Sequence, residues 1–288
     1  LGGFMTARSS FEGRLVKRGA AGYACAVTAL LHHGVLTAPG ATPTRSLLFL
    51  HGILGQGVNW RGFARQLVAQ RPEWAAVLVD LRAHGDSRDV PGDDDLAGAA
   101  RDLSALRDAL ELPVGGVLGH SFGGKVALRW VADDPGALEA LFVVDSLPGA
   151  RPDHRGSEGT VAVVDLLAEL PARFDRREDF VAHVVGQGQP ETLARWLAQS
   201  LDRIDDGGGV RFGLDVARIR ALLGDYFATD LWGAVDPPAG SLSAHLIIGG
   251  RSTVYDADAR ARAQELAARH DRVHAHVLEA ADHWVHVD

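Results

Sequence analysis

Val117-Leu118-Gly119-His120-Ser121-Phe122-Gly123-Gly124-Lys125 decides the fold. An apolar run stops at a serine and passes directly into a helical pattern, and Gly119 and Gly123 flank the serine as G-x-S-x-G. That is the pattern of a nucleophile elbow, in which a strained strand-to-helix turn holds a serine hydroxyl clear of the sheet. Glycines suit the flanks because strand, turn and helix approach too closely there for side chains.

Working outward, apolar runs at 46–51, 75–81, 114–119 and 141–145 alternate with helical patterns at 59–70, 95–110 and 122–132. Continuous apolar strands are buried on both faces, and their alternation with helices predicts βαβ units and a parallel sheet. The rhythm breaks at Pro148. Helical stretches at 161–170, 178–185, 190–201 and 214–228 follow, with one short strand candidate at 210–212. Strand rhythm resumes at 244–248, then a helix at 257–270 and a last strand at 273–278. The expected organisation is one α/β core formed by residues 1–147 and 239–288, with residues 148–238 inserted as a helical lid. Two further strands are expected near 12–18 and 23–31, and residues 34–45 read as a loop rich in Gly, Pro and Thr.

The chain has 288 residues, 47% of them hydrophobic, enough to bury a large core in one domain. A formal charge of −8 without Lys/Arg runs argues against a nucleic-acid or anionic-membrane surface. No apolar run reaches the roughly 18 residues of a spanning helix. One cysteine, Cys25, forbids an internal disulfide, and its apolar surroundings predict a buried thiol. The absence of a clear signal peptide leads to the expectation of a cytoplasmic protein.

A serine hydroxyl is a weak nucleophile, so an elbow serine needs a base, and the base needs an acid to fix its tautomer. The order in this architecture is Ser, acid, His. His283 follows the last strand, at the sheet edge where Ser121 emerges, and is the expected base; His286 is the fallback. Backbone N–H groups of Phe122 and of Ile53 in His51-Gly52-Ile53-Leu54-Gly55 are the expected oxyanion donors, with Leu54 second.

His51-Gly52, Asn59-Trp60, the run from Asp80 to Ser87, Gly119 to Ala127 and Asp282-His283-Trp284 together resemble the α/β-hydrolase superfamily. Within it the chain is most similar to small serine esterases, the branch that includes bacterial acyl-CoA-type esterases and abhydrolase-domain-containing protein 11 relatives. The likeness spans residues 46–149 and 246–288. It implies a serine hydrolase that cleaves carboxylic esters or thioesters of small-molecule acyl substrates without cofactor or metal. Acyl transfer, lactone opening, C–C hydrolysis and perhydrolysis use the same groups, and a binding protein that has lost turnover is the remaining alternative. The fold usually adds a helix after the histidine loop, whereas five residues follow His283.

The acid departs from the family pattern. Its usual place, after the strand at 244–248, reads Gly249-Gly250-Arg251-Ser252, and a serine cannot act as the acid. Asp145, one strand beyond the serine strand, is preferred. Asp256 is the alternative, although it also suits the N-cap of the next helix. Asp80 and residues 84–87 read as turn-forming, His120 as a pocket-wall residue, and Asp93-Asp94-Asp95 as a helix start. His32, His33, His270, His274 and His276 are expected to be exposed without acidic partners.

Overall fold

The computed structural model describes residues 29–136, 138–205 and 208–285. The strand expectations at 12–18 and at 23–28, Cys25 and His286 lie outside the described residues. Seven strands form the main sheet: β1 (His33–Leu36), β2 (Arg45–Leu50), β3 (Trp74–Val79), β4 (Val114–His120), β5 (Ala140–Val144), β8 (Ser243–Gly249) and β9 (Val273–Leu278). Their order is β1-β3-β2-β4-β5-β8-β9. All neighbours run parallel except β1, which is antiparallel to β3. Strand β1 is a correction, because its residues fall where the sequence reads as a loop. It is a four-residue edge strand containing a glycine and partly exposed throughout, so it carries neither alternation nor a continuous apolar run.

The parallel strands are buried on both faces for the reason the sequence suggests. Leu48 and Leu50 face one apolar cluster, Leu47 and Phe49 the other. Helix α2 (Leu96–Ala109) turns Leu103 and Leu106 into the first cluster, and α3 (Phe122–Asp133) adds Val126, Ala127 and Trp130. Helix α1 (Arg61–Gln70) covers the second cluster with Ala64 and Val68. Phe63 is 41% exposed, while Trp60 is buried in the 3₁₀ turn before the helix.

Between β5 and β8 lie α4 (Glu158–Ala168), α5 (Arg177–Gly186), α6 (Glu191–Leu197), the antiparallel pair β6 (Leu201–Arg203) and β7 (Val210–Phe212), and α7 (Val216–Ala228). The helical stretch read over 190–201 is shorter, because a 3₁₀ turn leads into β6. Charged groups tie this segment to the sheet layer. Arg218 binds Asp94 with two nitrogens at 2.7 Å each, and Arg88 reaches Asp202 at 2.7 Å. Lys125 on α3 is fully buried and donates to the carbonyls of Gly149 (2.8 Å) and Tyr226 (2.6 Å), where the segment leaves β5 and where α7 ends. Helix α8 (Ala257–Arg269) then precedes β9.

Two buried histidines shape the loops at the carboxyl ends of β2 and β3. The Leu81 N–H donates to His51 Nε2 (3.0 Å), so Nδ1 of that ring carries the proton and donates to the Gly52 carbonyl (2.8 Å). The Leu54 N–H donates to His84 Nε2 (3.0 Å), and His84 Nδ1–H donates to the Arg82 carbonyl (2.8 Å). Burial lowers the pKa of both rings, that of His84 from 6.5 to about 3, helped by the adjacent His51.

The sign of the pH effect follows. Between 6.5 and about 3 the unfolded chain binds a proton on this residue and the folded chain does not, so stability falls with pH through that window. The melting temperature of the wild type is expected to drop from neutral pH to about pH 5, and His84→Gln, which keeps an acceptor but does not titrate, to drop less. Parallel melting curves against pH for the two proteins would contradict this assignment.

Candidate active site

Ser121 sits between the last residue of β4 and the first of α3, with φ 50° and ψ −119°. A non-glycine residue in the positive-φ region costs about 1–3 kcal/mol, and the surrounding backbone holds it there. Its N–H extends the sheet ladder to the Val144 carbonyl (2.9 Å). The flanking glycines are required by space: a Cβ on Gly119 would lie 2.2 Å from the Gly123 carbonyl oxygen, and one on Gly123 would lie 2.6 Å from that of His51.

Asp145 follows β5 in the same way. Its N–H donates to the Ile247 carbonyl (2.7 Å), its φ is 42°, and it is fully buried. A buried carboxylate needs donors, and three converge on it. Gly249 N–H reaches Oδ1 (3.0 Å), Ser252 Oγ–H reaches Oδ2 (2.5 Å), and His283 Nδ1 lies 2.8 Å from Oδ2. With Nδ1–H donated to the carboxylate, Nε2 of His283 is the basic nitrogen. The loop carrying His283 is fixed by backbone bonds from Ala281 to Leu278 (3.0 Å) and from Arg251 to Ala281 (3.0 Å).

The alternative acid lies elsewhere. Asp256 caps α8 by accepting from the Ala259 N–H (2.9 Å) and faces Arg151 (3.2 Å) and Arg155 (3.4 Å). The Ala259 N–H above all, with the two guanidinium groups, holds its carboxyl below the usual range. The residues on the oxyanion side are also separated. Leu54 N–H is committed to His84, whereas Phe122 N–H opens a helix and has no intrahelical acceptor. Ile53 lines the cavities on both sides of Ser121.

Those cavities share Ile53, Ser121, Gly159, Thr160 and His283. One, of ≈ 330 Å³, is walled by Leu54, Val163, Pro190, Leu193, Trp196 and Trp284. The other, of ≈ 200 Å³, is lined by Ser157, Glu158, Ser252 and Thr253 together with Tyr226 and Phe227. Of the aromatic residues of the inserted segment, Phe180 and Trp232 are core, while Trp196 and Tyr226 face the cavities.

Several roles escape sequence reasoning. Ser252, unfit to be an acid, donates instead to the candidate acid Asp145, and a hydroxyl at the place where the family pattern leads one to expect a carboxylate is the signal that could have been followed. His120 does more than line a wall: its Nε2–H donates to the His283 carbonyl (2.8 Å). Two histidines have acidic partners that the sequence does not announce. His32 Nδ1 lies 3.1 Å from Asp80 and its Nε2 3.7 Å from Asp86, because β3 brings Asp80 beside the chain entering β1. His270 meets Asp236 at 3.0 Å. His274, half-buried, and His276, exposed as expected, pack beside His245 across the β8–β9 pair. Among the described residues, His32, Asp80 and Asp86 are the one group able to present three metal-ligand atoms together. Asp80 is already engaged there by the Gly57 N–H (2.7 Å) and the Asp86 N–H (3.0 Å), which fits its turn-forming role.

The model of the alpha/beta hydrolase family matches residues 47–288. The chain is 28% identical over 257 residues to the sn-1-specific diacylglycerol lipase ABHD11 of Danio rerio, covering 86% of this chain and 76% of that protein. It is 27% identical over 242 residues to esterase YbfF of Escherichia coli K12, covering 84% and 87% respectively. A solved marine microorganism esterase superposes with a TM-score of 0.73 at 22% identity, over 89% of this chain and 94% of that one, which is a likeness of fold. Strand order, elbow and family match agree: the chain belongs to the alpha/beta hydrolase family.

Proposed function

We propose that this protein is a serine hydrolase that cleaves carboxylic esters through an acyl-enzyme on Ser121, with residues 148–238 as its lid. The observation that carries the reading is the contact between His283 Nδ1 and the buried Asp145 Oδ2 at 2.8 Å, with His283 lining the same two cavities as the strained elbow serine. Names of relatives support the reaction class, since the curated proteins it resembles include an esterase and a lipase.

His283 Nε2 takes the Ser121 hydroxyl proton as Oγ attacks the ester carbonyl, and Asp145 stabilises the imidazolium. The Ile53 and Phe122 amides receive the developing oxyanion. The proton passes to the departing alcohol, and His283 then activates a water that releases the acid. Each group required is part of the chain, so the mechanism calls for no cofactor or metal.

Turnover of p-nitrophenyl acyl esters and labelling of Ser121 by a fluorophosphonate are expected, with both lost in Ser121→Ala. Absence of both in the wild type would sink the reading. Asp145→Asn is expected to lower kcat by a factor on the order of 10³–10⁴, as loss of the triad acid does elsewhere. Asp256→Asn should leave kcat within about threefold and lower stability by about 1 kcal/mol or less, as for a weakened cap. The opposite ranking in kcat would move the acid to Asp256. Ser252→Ala removes a hydrogen bond to a buried carboxylate and is expected to cost about ten- to a hundredfold in kcat. Wild-type kcat in that variant would show that the Ser252 hydroxyl does not support the acid.

A further inference from the structure

The two cavities that meet at Ser121 differ in chemistry, and we propose that they sort the two halves of the ester. The apolar arm holds a medium-length acyl chain; the polar arm holds a compact alcohol that is neutral or cationic, and rejects an anionic one. This rests on the serine-hydrolase reading above.

The assignment of halves follows from the order of bond changes. When Ser121 Oγ bonds to the carbonyl carbon, the ester C–O bond breaks and the alkoxide leaves with the proton from His283. Water then enters where the alcohol stood, gives a proton to His283, and its oxygen bonds to the acyl carbon; the bond from that carbon to Ser121 Oγ breaks as His283 returns the proton to Oγ. The leaving-group side must therefore accept water, and the acyl side must hold its group through both steps. Hydroxyls of Ser157 and Thr253 give the polar arm sites for water, and exposed Glu158 puts its mouth at the solvent. The apolar arm instead offers Val163, Leu193 and a Trp196–Trp284 pair at 5.3 Å, surfaces suited to methylene groups.

Charge selection follows from what lines the polar arm. Glu158 is its one charged side chain among the described residues, and no Lys or Arg lines either arm. The nearest guanidinium groups in sequence, Arg151 and Arg155, face Asp256. A carboxylate on the alcohol would meet Glu158 in an arm that no Lys or Arg lines, whereas a quaternary ammonium would be attracted to that carboxylate.

The test measures kcat/KM at neutral pH for hexanoyl esters of ethylene glycol, choline and glycolate, alongside fluorophosphonate labelling of Ser121. The glycol and choline esters are expected to exceed the glycolate ester by about tenfold or more, and Glu158→Gln to narrow the choline-to-glycolate ratio by about fivefold. Leu193→Trp, which fills the apolar arm, is expected to lower the hexanoyl-to-acetyl ratio for ethylene glycol esters by about tenfold. A labelled Ser121 with no preference among alcohols, with none of these esters hydrolysed, or with ratios that neither variant moves, overturns the assignment of the arms alone. An unlabelled Ser121 overturns the acyl-enzyme reading and this inference with it.

Discussion

The buried carboxylate of Asp145 is the constraint on which the candidate site depends. A charge with no exposure to water persists only if donors surround it, and here three donors come from two separate pieces of chain. Of the three donors, Gly249 and Ser252 lie together on one piece, at and just beyond the end of β8, and His283 lies on another, after β9. Satisfying the carboxylate therefore fixes the ends of two neighbouring strands and, in the same act, the ring of His283. Removing one donor leaves the other two holding a less stable charge, so the cost is felt at the histidine.

The sheet supplies the second requirement, which is that serine and acid emerge side by side. Ser121 and Asp145 occupy the same place on adjacent parallel strands, each donating its N–H to the next strand and each with positive φ. Two strained residues in neighbouring turns make sense only at a place where side chains must stand out of the sheet. On the other side of β4, the buried rings of His51 and His84 hold the loop that carries Ile53, and His84 takes the Leu54 amide out of contention as a donor to substrate.

The fold was legible because its signals are local. Apolar runs such as Leu47 to Leu50 and the elbow glycines announce buried strands and a tight turn without reference to anything distant. Ser121, Asp145 and His283 stood out as candidates because each follows a strand at the same edge of the sheet. The interactions that escaped notice join residues far apart in the chain. Ser252 and Asp145 are 107 positions apart, His120 and His283 are 163 apart, and Lys125 reaches a carbonyl 101 residues away. A serine at position 252 reads as a missing acid until its hydroxyl is seen donating to the Asp145 carboxylate one strand over. Edge strand β1 was hidden for a different reason, since four half-exposed residues carry no periodicity. The inserted helices were visible as helices, but which of their side chains face Ser121 depends on packing that periodicity does not specify.

Low-field proton NMR of the His283 ring tests the central contact most directly. A proton shared between Nδ1 of that ring and a buried carboxylate resonates far downfield of ordinary amides and exchanges slowly. The account predicts such a resonance in the wild type and in Asp256→Asn, and its loss in Asp145→Asn and His283→Ala. Persistence of the signal in Asp145→Asn, or its disappearance in Asp256→Asn, would contradict the assignment of Asp145 as the partner of His283.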